Sequence, residues 1–411
     1  MSSLAKILFH LHRPPLPTDG GDKQRLMGML NYFSDRQSSL LLDGFGGNTR
    51  GRVEWTEKDA ALIQPYFNDF QYYRGENSLF DFIYSRSKSF YYQKIWGQQL
   101  PIDTDYFAPP NYVRYVKKLV KQGEYDYIWL NYIEYAALAV DLGKYFKIKT
   151  FIDLHDLGCQ ARLVVNDIEY LQKLKFDYHK NLIKEANLLN KFDRIIVNSQ
   201  QEIDILSSYI PEDKLVLIPH LLEETVNLKE PIPYNCREFN YDLLFVGTGR
   251  SPNLNAINFF LKDIFPYVVA QKPNVTLALV GSIAKVIQIP RQLAKNVVNL
   301  GYVKDLSAVY LQCRINICPL LKGAGTKVKL QEALAYGLPI VTTQVGASGL
   351  KLENKLDAYI TDDPKIFASS ILTLLDNDRL CQELSAAASL TFQKHYAKEQ
   401  IYQKLDRLFE I

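Results

Sequence analysis

The run richest in chemistry is PLLKGAGTKVKLQEALAYGLPIVTT, from Pro319 to Thr343. Gly323 and Gly325 precede a predicted helix that carries Lys327, Lys329 and Glu332 and stops near Gly337, ahead of a strand led by Pro339. Backbone N–H groups at an open helix terminus, joined by two lysines, suit a diphosphate. A glutamate deeper along the same helix suits a pair of ribose hydroxyls. Lysines on a first helical turn are usually solvated; the glycines favour the binding role.

Three further stretches place polar residues where strands end. VGTGRSPN brings Gly247 and Gly249 to the carboxyl end of a strand, followed by Arg250, a side chain suited to a diphosphate or to plain solvent. It is not a dinucleotide fingerprint, because Pro252, Asn253 and Leu254 fill the stretch where a third glycine should open into the helix. Gly20 and Gly21 sit before another predicted helix, where they serve an anion or make a tight turn. His155 follows the strand FIDL between Asp153 and Asp156, carboxylates that would make it a base or simply orient it.

The elements that must hold these residues read as alternating strands and helices. Apolar runs at Ala5 to Leu11, Ser39 to Leu42, Tyr127 to Leu130, Thr150 to Leu154, Arg194 to Val197 and Leu215 to Ile218 are nearly continuous, as in parallel strands buried on both faces. A second series follows at Asp242 to Val246, Val275 to Val280, Val297 to Leu300, Ile315 to Cys318 and Ile340 to Thr342. Between the two, LEETVNLKEPIPYNCREFNY loses all periodicity. The predicted organisation is an α/β domain over 1–221, a linker over 222–240, a second α/β domain over 241–396 and an amphipathic helix over 397–411 that packs back on the first domain. Pro266 should kink or shorten the helical stripe from Leu254 to Val268.

Composition bounds the alternatives. A chain of 411 residues exceeds one compact core. A formal charge of +3 gives no strong field for nucleic acid. Five scattered cysteines match no metal-ligand spacing and fit a reducing compartment, so the expected location is cytoplasmic. The segment Phe70 to Leu100 mixes aromatics with Arg74, Arg86, Lys88 and Lys94; it reads as a helical insertion or as a surface for a glycan or the inner face of a membrane. The basic face of YVRYVKKLVKQG is compatible with anionic lipid or with solvent.

In order along the chain, these pieces resemble glycosyltransferase family 4, retaining enzymes of the GT-B fold. The resemblance is strongest at GTKVKLQEALAYGLPIVTT with Gly346 and Gly349-Leu350. It is supported by Gly20-Gly21, His155, KFDRIIVNSQQE, VGTGRSPN and LGYVKDLSAVY. It implies two Rossmann-like domains facing across a cleft, and sugar transfer from a UDP- or GDP-sugar to a glycan, lipid-linked or small-molecule acceptor in polysaccharide or glycoconjugate synthesis.

In that family picture Arg250 and Lys329 neutralise the leaving diphosphate, the backbone at Gly21 and at Gly325-Thr326 approaches it, and Gly20, Gly247 and Lys327 belong to the same donor-binding set. Glu332 holds the ribose and His155 sits beside the sugar. No covalent nucleophile, metal or cofactor is implied, and DTD at Asp103 to Asp105 reads as a turn. Ala324 stands where the family often has a glutamate that contacts the donor sugar. That departure keeps open a catalytically silent binding or assembly protein; a sugar-nucleotide epimerase or a phosphorylase also occurs on related folds.

Overall fold

The computed structural model describes residues 4–18, 20–47, 55–73, 79–95, 108–140, 142–165, 171–172, 175–222, 232–323 and 325–411. Ala324, Asp103 to Asp105, and parts of the interdomain linker and of the aromatic segment lie outside them. The chain divides into two units, Met1–His220 with Leu405–Ile411, and Leu221–Lys404. Each is built on a wholly parallel sheet.

In the first unit the strands are β1 (Ala5–Leu11), β2 (Leu40–Gly47), β3 (Asp69–Tyr73), β4 (Tyr127–Asn131), β5 (Lys149–Asp153), β6 (Arg194–Val197) and β7 (Leu215–Leu217). Their order is β3-β2-β1-β4-β5-β6-β7, so the winding reverses between β1 and β4. β1 sets the register, with Ile7 opposite Leu42 on one side and Tyr127 on the other. Ile7, Phe9 and Leu11 are wholly buried, as central parallel strands require.

The aromatic segment is helical over Leu79–Phe90 and Tyr91–Ile95, whereas its start, Asp69–Tyr73, is a strand that the reading of a helical insertion did not include. DFQYY is an edge strand with Asp69 and Gln71 exposed and Phe70 buried, so its half-buried alternation lacks the continuous apolar signal of the inner strands. The last residues complete this unit. Within the helix Lys398–Phe409, the Phe409 ring lies 5.5–6.4 Å from those of Tyr32, Phe33, Tyr127, Trp129 and Phe151.

The second sheet runs β10-β9-β8-β11-β12-β13, from β8 (Tyr241–Val246), β9 (Leu277–Val280), β10 (Val297–Gly301), β11 (Cys313–Cys318), β12 (Ile340–Thr342) and β13 (Tyr359–Ile360). Here the winding reverses between β8 and β11. Two-residue β13 is too short to leave a periodic signal. The helical stripe is interrupted just before Pro266, as the proline predicts: the helix Ser251–Phe259 gives way to a π-turn at Phe260–Ile264 and begins again as Phe265–Gln271, where Pro266 falls in the first turn and costs no hydrogen bond. Among the described residues no helix is long and apolar enough to cross a membrane.

Candidate functional site

In open α/β sheets, ligands bind beyond the carboxyl ends of strands where the winding reverses. In the second unit that position is flanked by the loops after β8 and β11. After β8, the Gly247 N–H donates to Val280 O at 2.9 Å, and Gly281, at φ +98°, lies so close that any Cβ would run into the Gly247 carbonyl. Gly249 N–H donates to Ser282 Oγ at 3.0 Å. Arg250 is exposed at the N-cap of the helix Ser251–Phe259.

After β11, Gly325 takes φ +61°, a turn that favours glycine. Thr326 Oγ1 faces Gly349 O at 3.4 Å. Lys327 is the N-cap of the helix Val328–Ala335, and no side chain caps that terminus. Its ammonium turns into the loop, donating to Gly325 O at 2.7 Å and to Ser348 Oγ at 2.9 Å. Lys327 therefore braces the glycine turn instead of standing solvated on the first helical turn.

Lys329 is the lysine that joins the two loops. Its Nζ donates to Asn253 Oδ1 at 2.6 Å and lies 4.8 Å from the centre of the Phe245 ring. Burial lowers its pKa, an effect that Cys318 and Glu332 oppose. Three residues on, buried Glu332 accepts a hydrogen bond from Tyr310 Oη at 2.8 Å. Tyr310 stacks on Tyr336 with ring centres 5.0 Å apart. The sequence singled out Lys329 and Glu332 but not Asn253 and Tyr310, although both lie inside motifs it quoted. Their polar atoms become meaningful only when the loops meet.

In the first unit, the reversal between β1 and β4 gathers histidines. Gly20 is the extended N-cap of the helix Gly21–Asp35. Asp22 in its first turn pairs with Arg13, so a carboxylate already sits at this terminus. His155 lies two residues beyond β5, buried, at φ +60°. The flanking carboxylates do not hold its ring. Asp153 is committed to Arg25, both its oxygens 2.8 Å from Arg25 Nε. Arg25 also donates from Nη1 to Ile218 O at 2.9 Å.

The ring is held instead by Asn131, whose Oδ1 is 3.0 Å from His155 Nε2, and by Tyr132, stacked on it at 4.2 Å. His12 packs against Tyr132 with ring centres 4.3 Å apart. Burial, reinforced by Arg25, His12, His220 and Arg13, holds the His155 pKa well below the ordinary histidine value. Two buried glutamates cap nearby backbone. Glu185 accepts from the Gly158 and Cys159 N–H groups, and Glu202 from those of Leu157 and Asn198. Arg25, Asn131 and His12 escaped the sequence reading, since an arginine inside a helix reads as surface and the sequence does not show that the ends of β1 and β4 meet. Among the described residues, no cluster of histidine, cysteine and carboxylate side chains could hold a metal ion.

Residues 240–377 match the family model described as "Glycosyl transferases group 1". The second unit carries a glycosyltransferase group 1 domain. That domain contains Gly247, Arg250, Gly325, Thr326, Lys327, Lys329 and Glu332, whereas His155 belongs to the other unit.

Among curated proteins, an uncharacterized 44.6 kDa protein in the cps region of Klebsiella pneumoniae is 25% identical over 246 residues, 57% of this chain. The match spans 60% of that relative's length. Among solved structures, HepE of Anabaena in complex with UDP superposes with a TM-score of 0.66 at 14% identity, covering 98% of this chain and 99% of that one. Sucrose-phosphate synthase of Thermosynechococcus elongatus gives 0.66 at 16% identity, covering 99% and 98% of the two chains. TarM, from S. aureus, gives 0.66 at 15% identity over 100% and 99%. The chain has the GT-B fold of two Rossmann-like domains.

Proposed function

We propose that the protein is a retaining glycosyltransferase that moves a sugar from a UDP- or GDP-sugar to a glycan, lipid-linked or small-molecule acceptor. The observation that carries this reading is the junction of Lys329 with Asn253 beside an uncapped helix terminus. It brings a cation, the start of a helix without a side-chain cap and the Glu332 carboxylate to one sheet reversal, in a domain of glycosyltransferase type. Lys329 and the helix terminus neutralise charge that develops on the leaving diphosphate, with Arg250 on the flanking loop; Glu332 receives the ribose. Solved structures of HepE with UDP-glucose and of TarM with UDP and α-GlcNAc-glycerol support this choice of ligands. The cps-region relative supports a role in polysaccharide synthesis.

The proposal extends to peripheral contact with a cytoplasmic membrane surface. The helix Leu79–Phe90 and the π-turn Tyr91–Ile95 expose Leu79, Ile83, Phe90 and Ile95 beside Lys94, the combination that an interfacial helix offers to anionic lipid. Flotation with anionic vesicles tests it: recovery with neutral and anionic vesicles alike at background level removes the membrane contact.

The donor assignment is tested by thermal shift with UDP-, GDP-, ADP- and dTDP-sugars and their free nucleotides, followed by turnover with and without acceptor. A ligand at 100 times its Kd stabilises the folded state by about 2.7 kcal/mol. A shift with one nucleotide series and acceptor-dependent release of the nucleoside diphosphate are expected. No shift with any of them at millimolar concentration overturns the reading, and acceptor-independent isomerisation of the sugar replaces transfer with epimerisation.

A further inference from the structure

Asn131 ends β4 and is wholly buried. Its Nδ2 donates to the carbonyl of His10 at 2.5 Å, which fixes the amide so that Oδ1 points to His155 Nε2 at 3.0 Å. An amide oxygen only accepts, so Nε2 carries the imidazole proton and Nδ1 carries the lone pair. The rest of His155 is equally constrained. Tyr132 stacks on its face at an angle of 18°, Asn198 Nδ2 donates to its carbonyl, and its N–H faces Asp153 Oδ1 at 3.4 Å.

One atom of this residue is unaccounted for. His155 Nδ1 is buried and has no hydrogen-bond partner in the protein among the described residues. A bare acceptor in a buried place is destabilising unless something donates to it. The charged and titratable groups facing the ring are Arg25 from the first helix, Asp153 from β5, His12 and Arg13 after β1, Tyr132 after β4 and His220 after β7. Arg25 and Arg13 are paired with Asp153 and Asp22. The surroundings are polar and nearly charge-compensated, which suits a neutral hydroxyl better than an anion.

We propose that Asn131 is a positioning residue that locks His155 in the Nε2–H tautomer, so that Nδ1 accepts a hydrogen bond from a substrate hydroxyl. The proposal rests on the glycosyltransferase reading for the nature of the substrate. The lock itself rests on the geometry alone. The hydroxyl belongs to the donor sugar or to the acceptor, and kinetics distinguish the two.

The test uses the full chain labelled with ¹⁵N-histidine, with His155 assigned through His155→Gln. In the wild type, long-range ¹H–¹⁵N correlations should show a protonated Nε2 and a bare Nδ1. In Asn131→Leu the lock is gone and the Nδ1–H tautomer should become populated. An Nδ1–H tautomer in the wild type, or an unchanged tautomer in Asn131→Leu, overturns the lock. If Asn131→Leu does not fold, Asn131→Asp keeps the size: its carboxylate should make His155 titrate in the accessible range and add an acid-side loss of kcat absent from the wild type. Absence of both effects also overturns it.

With turnover established, Asn131→Leu should lower kcat/KM about tenfold, the worth of one well-placed hydrogen bond. A raised KM for the nucleotide sugar assigns the hydroxyl to the donor, and a raised acceptor KM assigns it to the acceptor. Wild-type kinetics with an altered tautomer overturn the substrate contact. If the wild type turns over no nucleotide sugar, the functional reading fails while the tautomer result stands by itself.

Discussion

Tyr310 Oη sits 2.8 Å from Glu332 Oε2, and the stacked Tyr336 ring fixes the phenol. Burial and then the neighbouring carboxylate push the phenol pKa well above its ordinary value, so Tyr310 is a donor at any physiological pH. Hydrogen bonds to charged groups contribute about 1.5–3 kcal/mol. If Glu332 grips the ribose, Tyr310→Phe should weaken binding of the nucleoside diphosphate by about tenfold through loss of carboxylate orientation. Calorimetric titration measures it, and an unchanged Kd would detach Glu332 from the donor.

Lys329 makes a similar claim at the diphosphate. Its ammonium is held by Asn253 and the Phe245 face, so the cation is preorganised between the two loops. Lys329→Ala should reduce single-turnover sugar transfer by about 10²- to 10³-fold with a small change in the unfolding midpoint. Asn253→Ala should cost less, since the cation remains. A variant Lys329→Ala with wild-type turnover would place the diphosphate elsewhere.

The strands and the donor loop were legible because both depend on local signals. β1, β6 and β12 match their apolar runs residue for residue, since a strand buried on both faces keeps an apolar run through its centre even where a polar residue stands at Lys6, His10, Arg194 or Thr342. Gly325 and Gly337 announced the turns that open and close the helix between them, and both take positive φ. The first-unit pocket was poorly legible. Asn131, Arg25 and His12 come from three separate elements, and their meaning depends on a sheet order that places β1 between β2 and β4. His155 was visible from the strand before it. Its partner was misjudged, because the adjacent aspartates are near in sequence while Asn131 is near in space.

The buried imidazoles set a pH limit. Burial lowers His10 and His220 to about 3, and it shifts His12 and His155 in the same direction. An unfolded histidine titrates near 6.5, so between those values the unfolded chain binds protons that the folded unit refuses. The resulting stability is complete above about pH 6.5 and is lost on acidification, at roughly 1.4 kcal/mol per pH unit for each histidine. Glu202, raised to about 7, and Glu185, raised to about 6, act oppositely: their contribution is present at low pH and lost as pH rises. Asp153, raised by burial against its Arg25 partner, acts in the same sense as the glutamates; four histidines outweigh these three carboxyls, so the urea midpoint should fall between pH 6.5 and 5. Trp55 and Trp129 are buried in the first unit, so their fluorescence follows it. A midpoint that is flat or rises toward pH 5 would contradict the buried, neutral state of the histidines.

The final helix separates packing from charge. Phe409 is buried among five aromatic rings from the first helix, β4 and β5, whereas Asp406 makes a partly exposed pair with Arg36 at 2.9 Å and accepts from Tyr32 Oη at 3.0 Å. Removing a buried phenylalanine costs about 3–5 kcal/mol, because the cavity is added to the lost transfer energy. A surface ion pair is worth about 0–1 kcal/mol. Phe409→Ala should therefore lower the tryptophan-detected urea midpoint far more than Asp406→Ala does. If the aspartate variant proves the more damaging, the chain terminus is held by its charge, and the aromatic cluster closes equally well without it.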